Sequence, residues 1–194
     1  MNQKTSISIL MPVKNTASFL KDCLDSIINQ TEKNFELIAV DDHSTDECYT
    51  ILSEYSTKDS RFKVFKNSGS GIIEALRLAY SKSTGEVITR MDSDDIMSLD
   101  KLEVLKTNLE NFGLGYIALG KVKYFSEKPL GDGFKRYEEW LNSLIEKASN
   151  FEGVYKECVI PSPCWMVYRE DLEKCNVFYP NDYPEDYDLA FRFY

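Results

Sequence analysis

Acidic residues cluster at two points in the chain, and each cluster directly follows a short apolar run. Asp92 and Asp94 follow the run 86–91, and Asp42 follows the run 35–40. Two carboxylates on alternate residues can both turn toward a hard cation such as Mg²⁺ or Mn²⁺. Such a cation neutralises a diphosphate and stabilises the charge that develops as the diphosphate leaves. The alternative interpretation is an Asp-rich turn that caps the next helix.

Asp42 and several other residues carry groups that suit a nucleotide, a reacting hydroxyl or a sugar. Asp42 can accept a hydrogen bond from the imide N–H of a base such as uracil, or it can belong to a capping turn. The segment 12–15 can offer backbone groups to the base, or it can simply end a strand. Asp186, beside Glu185 at a predicted helix start, can act as a general base. Alternatively, both carboxylates complement the helix dipole. The rings of Trp165, Tyr168 and Tyr183 can stack on a sugar or belong to the core.

Apolar spacing predicts the elements that must position these residues. Period-two and continuous apolar runs predict strands at 7–13, 35–40, 62–65 and 86–91, and three- and four-residue spacing predicts helices at 19–28, 45–56, 72–81 and 100–111. Four β-α units in succession imply an α/β fold with a mostly parallel central sheet and helices on both faces. Ligands bind beyond the carboxyl ends of such strands, which is where the acidic clusters fall.

The pattern is less regular after about residue 113. One strand or two are predicted within 116–120 and 122–125, another at 164–168, and helices at 134–146 and 186–194. We expect 1–112 and 113–194 to be two halves of the same domain.

Composition excludes several classes of protein. With 32 acidic and 23 basic residues the net charge is −9, which disfavours nucleic acid as a ligand. No run approaches the roughly 20 apolar residues of a membrane-spanning helix, and the start lacks a signal peptide. Five scattered cysteines without a Cys-x-x-Cys pair predict buried thiols in a reducing cytoplasm. A single histidine, His43, excludes a His-rich metal centre.

Taken together, these segments resemble the family 2 inverting glycosyltransferases of GT-A fold, of the type that builds bacterial cell-surface polysaccharides. The resemblance spans nearly the whole chain and is carried, in the family's order and spacing, by the segments 9–15, 38–46, 67–69, 85–96 and 184–189.

The resemblance implies a role for each matching residue. Asp42 would contact the base, and Pro12 and Val13 would line the nucleotide pocket. Asp94, with Asp92, would hold Mn²⁺ or Mg²⁺. Other residues of these segments are expected on the donor side: Asn15, Asn67, Arg90 and Ser93. Asp186 would be the catalytic base of a single inverting displacement. The donor would be a UDP-sugar, bound by the nucleotide-sugar-binding half 1–112. The acceptor would be a glycan or lipid-linked saccharide, on the acceptor-side half 113–194. Trp165, Tyr183 and Glu185 would lie toward that acceptor, with peripheral contact to a membrane if it is a lipid.

The sequence departs from the family pattern in a few places. His43 stands where glycine is usual, Arg77 where asparagine is common, and Ser162 where close relatives often have histidine. The chain stops eight residues after Asp186, whereas family members usually continue, so we expect a truncated chain.

Three other classes of protein are alternatives to an active glycosyltransferase. A receiver-like module would need acidic residues after its first and third strands and a late lysine. A nucleotidyltransferase would need an early basic, glycine-rich loop, and none appears near residue 14. The glycine-bearing segment 67–71 lacks both a Gly-x-Gly-x-x-Gly and a P-loop spacing. A glycosyltransferase-like nucleotide-binding domain without turnover stays open.

Overall fold

The computed structural model describes residues 6–126, 128–176, 178 and 184–194. The strands in these ranges are β1 (Ile7–Val13), β2 (Phe35–Asp41), β3 (Phe62–Lys66), β4 (Val87–Arg90), β5 (Ala118–Leu119) and β6 (Trp165–Tyr168). They form one sheet with the order β3-β2-β1-β4-β6-β5. Strands β1 to β4 are parallel, β6 pairs antiparallel with β4, and β5 pairs antiparallel with β6. The mostly parallel α/β sheet predicted from the sequence is confirmed.

The helices are α1 (Ala17–Ile28), α2 (Cys48–Lys58), α3 (Ile72–Lys82), α4 (Lys101–Phe112), α5 (Asp132–Glu146), α6 (Arg169–Lys174) and α7 (Glu185–Phe193), with a short 3₁₀ helix at Asn150–Gly153. Helices α1 to α3 connect the parallel strands, as the β-α alternation predicts. The alternating side chains of β1 divide the core. Ile9 and Met11 pack in a cluster with α1, α2 and α4, whereas Leu10 packs in a second cluster with α3, α6 and α7. The sheet is therefore covered on both faces.

The start of α2 differs from the prediction because a side chain holds the preceding segment as a turn. Helix α2 begins at Cys48 rather than near residue 45. The Asp46 carboxylate accepts hydrogen bonds from the backbone N–H groups of Cys48, at 3.1 Å, and Ala17, at 2.9 Å, and holds the preceding segment as a turn.

Of the one or two strands expected within 116–120 and 122–125, the structure has β5, and residues 122–125 do not form a strand. The backbone of Val122 bonds to the Asn142 side chain in both directions, at 2.9 and 2.8 Å. The N–H of Tyr124 donates to the Glu138 carboxylate at 2.6 Å. Side chains of α5 therefore satisfy the backbone groups that a strand partner would otherwise take.

The cysteines agree in part with the predicted buried thiols, and the helices agree with the predicted lack of a membrane-spanning run. All five cysteines lie in the described residues as free thiols, but Cys164 and Cys175 are partly exposed rather than buried. Within the described ranges, no helix combines the length and apolar character needed to cross a bilayer.

Candidate functional site

The loops that follow β1, β2 and β4 lie side by side, because β1 is hydrogen-bonded to both of its neighbours. The N–H of Asp42 donates to the Val13 carbonyl at 2.8 Å, and the N–H of Met91 donates to the Leu10 carbonyl at 3.0 Å. The hydroxyls of Thr16 and Ser93 then join the loops after β1 and β4 at 2.8 Å. Thr16 precedes α1 but does not cap it with its side chain, since its hydroxyl serves this link instead.

A cavity of about 490 Å³ opens where these loops meet, and we call it the strand-end pocket. Its lining residues come from the ends of β1, β2 and β4 and from the start of α3: Pro12, Val13, Lys14, Asp42, Gly71, Ile72, Arg90, Asp92, Ser93 and Asp94. Most of the side chains that the sequence analysis assigned to a donor and a metal are thus brought to one cavity.

Asp42 is the most strongly held side chain of the strand-end pocket. Its carboxylate accepts hydrogen bonds from the Asn67 amide at 2.7 Å, the Gly71 N–H at 3.1 Å and the Lys14 ammonium at 3.0 Å. Burial would raise the pKa of Asp42, but the bonds from Lys14, Asn67 and Gly71 outweigh burial, and the pKa is lowered. Gly71 suits this position because its φ is +92°. Asp42 is therefore ionised and fixed in orientation.

Two of the predicted donor-side residues do not line the strand-end pocket and instead support it. Asn67 is buried and donates to two pocket-lining residues, the Asp42 carboxylate at 2.7 Å and the Gly71 carbonyl at 3.3 Å. Asn15 joins two loops, because its side-chain oxygen accepts from the Thr45 N–H at 2.8 Å while its own N–H donates to Ser44 at 3.1 Å. Both residues therefore support the loops that form the pocket.

Arg90 connects the Asp92 loop to the segment that carries Asp186. Its buried guanidinium donates to Asp92 at 2.7 Å and to Glu185 at 3.2 Å. Burial would lower the pKa of Arg90, but the charges of Asp92 and Glu185 outweigh burial and raise it. Glu185, predicted on the acceptor side, thus acts as an anchor for the start of α7.

A second and larger cavity, of about 890 Å³, lies on the other side of Asp92, and we call it the Asp186 cleft. Asp92 lines both cavities, and Asp186 lines the cleft. Aromatic rings of the irregular half, including Tyr124, Phe125 and Tyr137, form part of the wall. Beside Asp186, burial raises the pKa of the Cys158 thiol to about 12, so Cys158 stays protonated.

Two polar residues of the Asp186 cleft escaped the sequence analysis. Burial raises the pKa of Asp95 to about 6, with the charges of Asp92 and Asp94 adding to the shift. Lys101 donates to the Pro163 carbonyl, and burial lowers its pKa. A lysine at the first position of a helix opposes the helix dipole, which is the signal that could have identified Lys101.

Trp165, an aromatic residue predicted on the acceptor side, is a core residue. The ring of Trp165 is fully buried in the core and packs edge-on against Phe193, so its assignment to the acceptor side is corrected: the ring is not accessible to a sugar. Strand β6 lies inside the sheet between β4 and β5, which explains this burial. Tyr183 lies outside the described residues.

The carboxylates after β4 fit a hard cation that also binds a ligand. The exposed Asp94 lines the strand-end pocket, and Arg90 engages only one oxygen of Asp92. Among the described residues, no group of three or more His, Cys, Asp or Glu side chains is placed to hold a metal by itself. A pair of carboxylates matches Mg²⁺ or Mn²⁺, which complete their coordination with phosphate oxygens and water.

Comparisons with known proteins identify the family of the chain. The family described as Glycosyl transferase family 2 matches residues 8–175. Glycosyltransferase GlyA of Streptococcus pneumoniae is 32% identical over 157 residues, which are 77% of this chain and 22% of GlyA. An uncharacterized glycosyltransferase of Rickettsia conorii is 30% identical over 179 residues, 89% of this chain and 28% of the relative. The chain thus spans less than a third of these relatives.

Solved structures share the fold at low sequence identity. TarS 1–349 of S. aureus in complex with UDP-GlcNAc is 19% identical, with a TM-score of 0.72 over 97% of this chain and 53% of that one. Mannosyltransferase PcManGT from Pyrobaculum calidifontis, in complex with GDP-Man and Mn²⁺, is 18% identical, with a TM-score of 0.73 over 97% of this chain and 51% of that one. The sheet order, the strand-end loops and the matched family span lead to one conclusion: the chain belongs to glycosyl transferase family 2 and has the GT-A fold.

Proposed function

We propose that the protein transfers a hexosyl or N-acetylhexosaminyl group from a UDP-sugar to a hydroxyl of a glycan or lipid-linked saccharide, with inversion at the anomeric carbon. The observation that carries the proposal is that the strand-end pocket and the Asp186 cleft adjoin at Asp92. A donor in the pocket and an acceptor in the cleft would meet there. The UDP-GlcNAc bound to TarS and the GDP-Man bound to the mannosyltransferase support a nucleotide-sugar donor.

The donor would lie with its base near Asp42 and its diphosphate near Asp94. Asp94, with Asp92, would hold Mn²⁺ or Mg²⁺, and the Mn²⁺ in the mannosyltransferase complex supports this. When bound, the cation supplies positive charge to the departing diphosphate. Arg90 keeps one oxygen of Asp92 fixed and so orients that carboxylate toward the pocket.

Asp186 would act as the general base. Its carboxylate accepts the proton of the acceptor hydroxyl, while that oxygen bonds to the anomeric carbon and the bond from this carbon to the diphosphate breaks. A single displacement of this kind inverts the anomeric configuration. Arg90 holds Glu185, the residue before Asp186, and thereby positions the base relative to the donor.

The two halves of the chain then divide the reaction between them. Residues 1–112 would bind the donor, and 113–194 would shape the acceptor side. The free thiols favour a reducing cytoplasm as the place of reaction, at the inner face of the membrane where the acceptor is lipid-linked.

Calorimetric titration of UDP, with and without Mn²⁺, tests the donor site. We expect Mn²⁺-dependent binding to the wild-type protein and its loss in Asp94→Ala. Asp22→Ala is the matched control, since Asp22 is an exposed carboxylate on α1 that lines neither cavity. Absence of binding of UDP, GDP and dTDP in every condition would refute the proposed function. Release of UDP from a UDP-sugar in the presence of acceptor then distinguishes turnover from binding alone.

A further inference from the structure

Lys14 forms an ion pair with Asp42 at the wall of the strand-end pocket. Its ammonium lies 3.0 Å from Asp42 Oδ2, and the Lys14 side chain is 54% exposed whereas that of Asp42 is 4% exposed. Both residues line the pocket. A hydrogen-bond donor and a hydrogen-bond acceptor are therefore presented next to each other on one wall.

The geometry leaves both groups able to bind a ligand. Asn67 donates to Asp42 Oδ1 at 2.7 Å, Lys14 donates to Oδ2 at 3.0 Å, and the Gly71 N–H is shared between both oxygens at 3.1 Å. Three donors therefore serve about four acceptor positions, and a ligand N–H can take the place of the shared Gly71 contact on Oδ2. The ammonium has three N–H donors, of which Asp42 takes one, so two donors of Lys14 are available to a molecule in the pocket.

On the basis of the proposed function, we propose that Lys14 is a specificity-determining residue for the nucleobase of the donor. Its ammonium donates to the 4-keto oxygen of uracil, while Asp42 accepts from the neighbouring N3–H. The pair therefore selects a base with a keto group beside an imide N–H.

Cytosine reverses both contacts when its ring is held in the same place by the ribose. Its N3 carries a lone pair that faces the Asp42 carboxylate, and its 4-amino group presents hydrogen atoms to the Lys14 ammonium. The Asp42 side chain, which is 4% exposed, then faces a lone pair instead of an N–H, and a buried polar group left without its partner weakens binding strongly. UDP and CDP differ only in this edge, so they are the appropriate pair of probes.

The experiment measures the dissociation constants of UDP and CDP by calorimetry in Mn²⁺ buffer, for the wild-type protein and for Lys14→Met and Lys14→Arg. We expect the wild type to prefer UDP by about tenfold or more, as the loss of one charged hydrogen bond implies. Lys14→Met should weaken UDP binding about tenfold and CDP binding by less than about twofold. Lys14→Arg, which keeps a cationic donor, should retain the preference for UDP.

Lys63→Met is the matched control. Lys63 is also an exposed lysine paired with a largely buried carboxylate, at 2.6 Å from Glu36, and it does not line the strand-end pocket. Its substitution should leave the UDP-to-CDP ratio unchanged. An equal loss for both nucleotides in Lys14→Met, or no loss, would overturn the inference and leave the proposed function standing. Failure of the wild type to bind any nucleoside diphosphate would instead overturn the proposed function.

Discussion

The strand-end pocket and the Asp186 cleft meet at Asp92 but are held together in different ways. Around the pocket, side chains join each strand-end loop to the next: Asn15 to Thr45 at 2.8 Å, Thr16 to Ser93 at 2.8 Å, and Asn67 to Asp42 at 2.7 Å. Part of the cleft wall comes instead from the segment 120–125 and from α5, which lie outside the parallel strands. Aromatic rings such as that of Phe125, 59% exposed, form part of its surface.

This difference indicates where the molecule is preorganised. The pocket is fixed by strand register and by polar links between adjacent loops, so its binding groups keep their geometry without a ligand. The cleft is tied to the pocket through Arg90, which bonds both Asp92 and Glu185. We therefore expect substitutions near the pocket to act on donor affinity, and substitutions near the cleft to act on turnover and on acceptor affinity.

The largest effect should come from Asp186→Asn, which tests whether the cleft acts on turnover and the pocket on donor affinity. Loss of a general base lowers turnover by about 10²- to 10⁴-fold, while UDP affinity should stay within about twofold. Rates of UDP release and calorimetry measure the two quantities. Asp188→Asn is the control, because Asp188 lies on the same helix but pairs with Arg192 at 2.7 Å. Equal losses in both variants would contradict the assigned role of Asp186.

Arg90→Met should break the connection between the pocket and the cleft. It removes the guanidinium that pairs with the Asp92 and Glu185 carboxylates, so we expect a loss of about 3 kcal/mol in the free energy of unfolding. Turnover should fall more than UDP affinity, since the start of α7 loses its anchor. Chemical denaturation and kinetics measure these changes.

Arg61→Met is the control for Arg90→Met. Arg61 pairs with Asp59 at 2.6 Å but is more exposed than Arg90, with 24% of its side chain accessible. We expect a loss below about 1 kcal/mol. A turnover loss in Arg90→Met no larger than its loss of UDP affinity would show that Arg90 does not couple the cavities.

Glu36→Gln tests the end of the parallel sheet opposite the strand-end pocket, where β2 begins, through the pH dependence of stability. Burial would raise the pKa of Glu36, but hydrogen bonds from Lys63, Ser8 and Thr84 outweigh it and lower the pKa from 4.5 to about 2. Because the folded-state pKa is depressed, Glu36 stabilises the protein above pH 4.5, and this contribution is lost as pH falls toward 2.

The free energy of unfolding of Glu36→Gln should therefore be lower by about 1–2 kcal/mol at pH 7 and change less between pH 4.5 and pH 2 than that of the wild type. Urea titrations across this range measure it, with the exposed Glu54→Gln as control. Parallel pH curves for the wild type and Glu36→Gln would contradict the prediction.

Phe125→Ser should have the smallest effect on stability and act only on the cleft. The ring is mostly exposed, so the free energy of unfolding should change by less than about 0.5 kcal/mol. The acceptor KM should rise about three- to tenfold, as expected from the loss of a ring contact worth roughly 1 kcal/mol. Phe112→Ser, at a ring 65% exposed and outside the cleft, should leave both KM values unchanged. A change in the donor KM would contradict the separation of the cavities.

Much of the fold was predictable because its signals are local. Apolar runs and helical spacing predicted the parallel strands β1 to β4 and the helices between them, with shifts of a few residues at their ends. Prediction failed at 122–125, where side chains of α5 compete for the backbone. Asn142 and Glu138 lie 14 or more residues away in the chain, so no local pattern contains them.

The gathering of the candidate carboxylates at one cavity was predictable, but their partners were not. A strand end followed by Asp-x-Asp marks Asp92 and Asp94 as candidates from the sequence alone, and the parallel order brings them near Asp42. The partnership of Lys14 with Asp42 spans 28 residues, and that of Arg90 with Glu185 spans 95. Sequence spacing cannot specify such contacts, because they depend on which strands become neighbours.

The sequence by itself determined the α/β class, the family resemblance and the candidate carboxylates, since strand and helix periodicity and short motifs are properties of adjacent residues. Only the tertiary structure decided that Trp165 is a core residue, that Asn67 acts through Asp42, and that Arg90 bonds the carboxylates of two distant segments. Burial and hydrogen bonding depend on packing between distant segments, and that packing exists only once the sheet has formed.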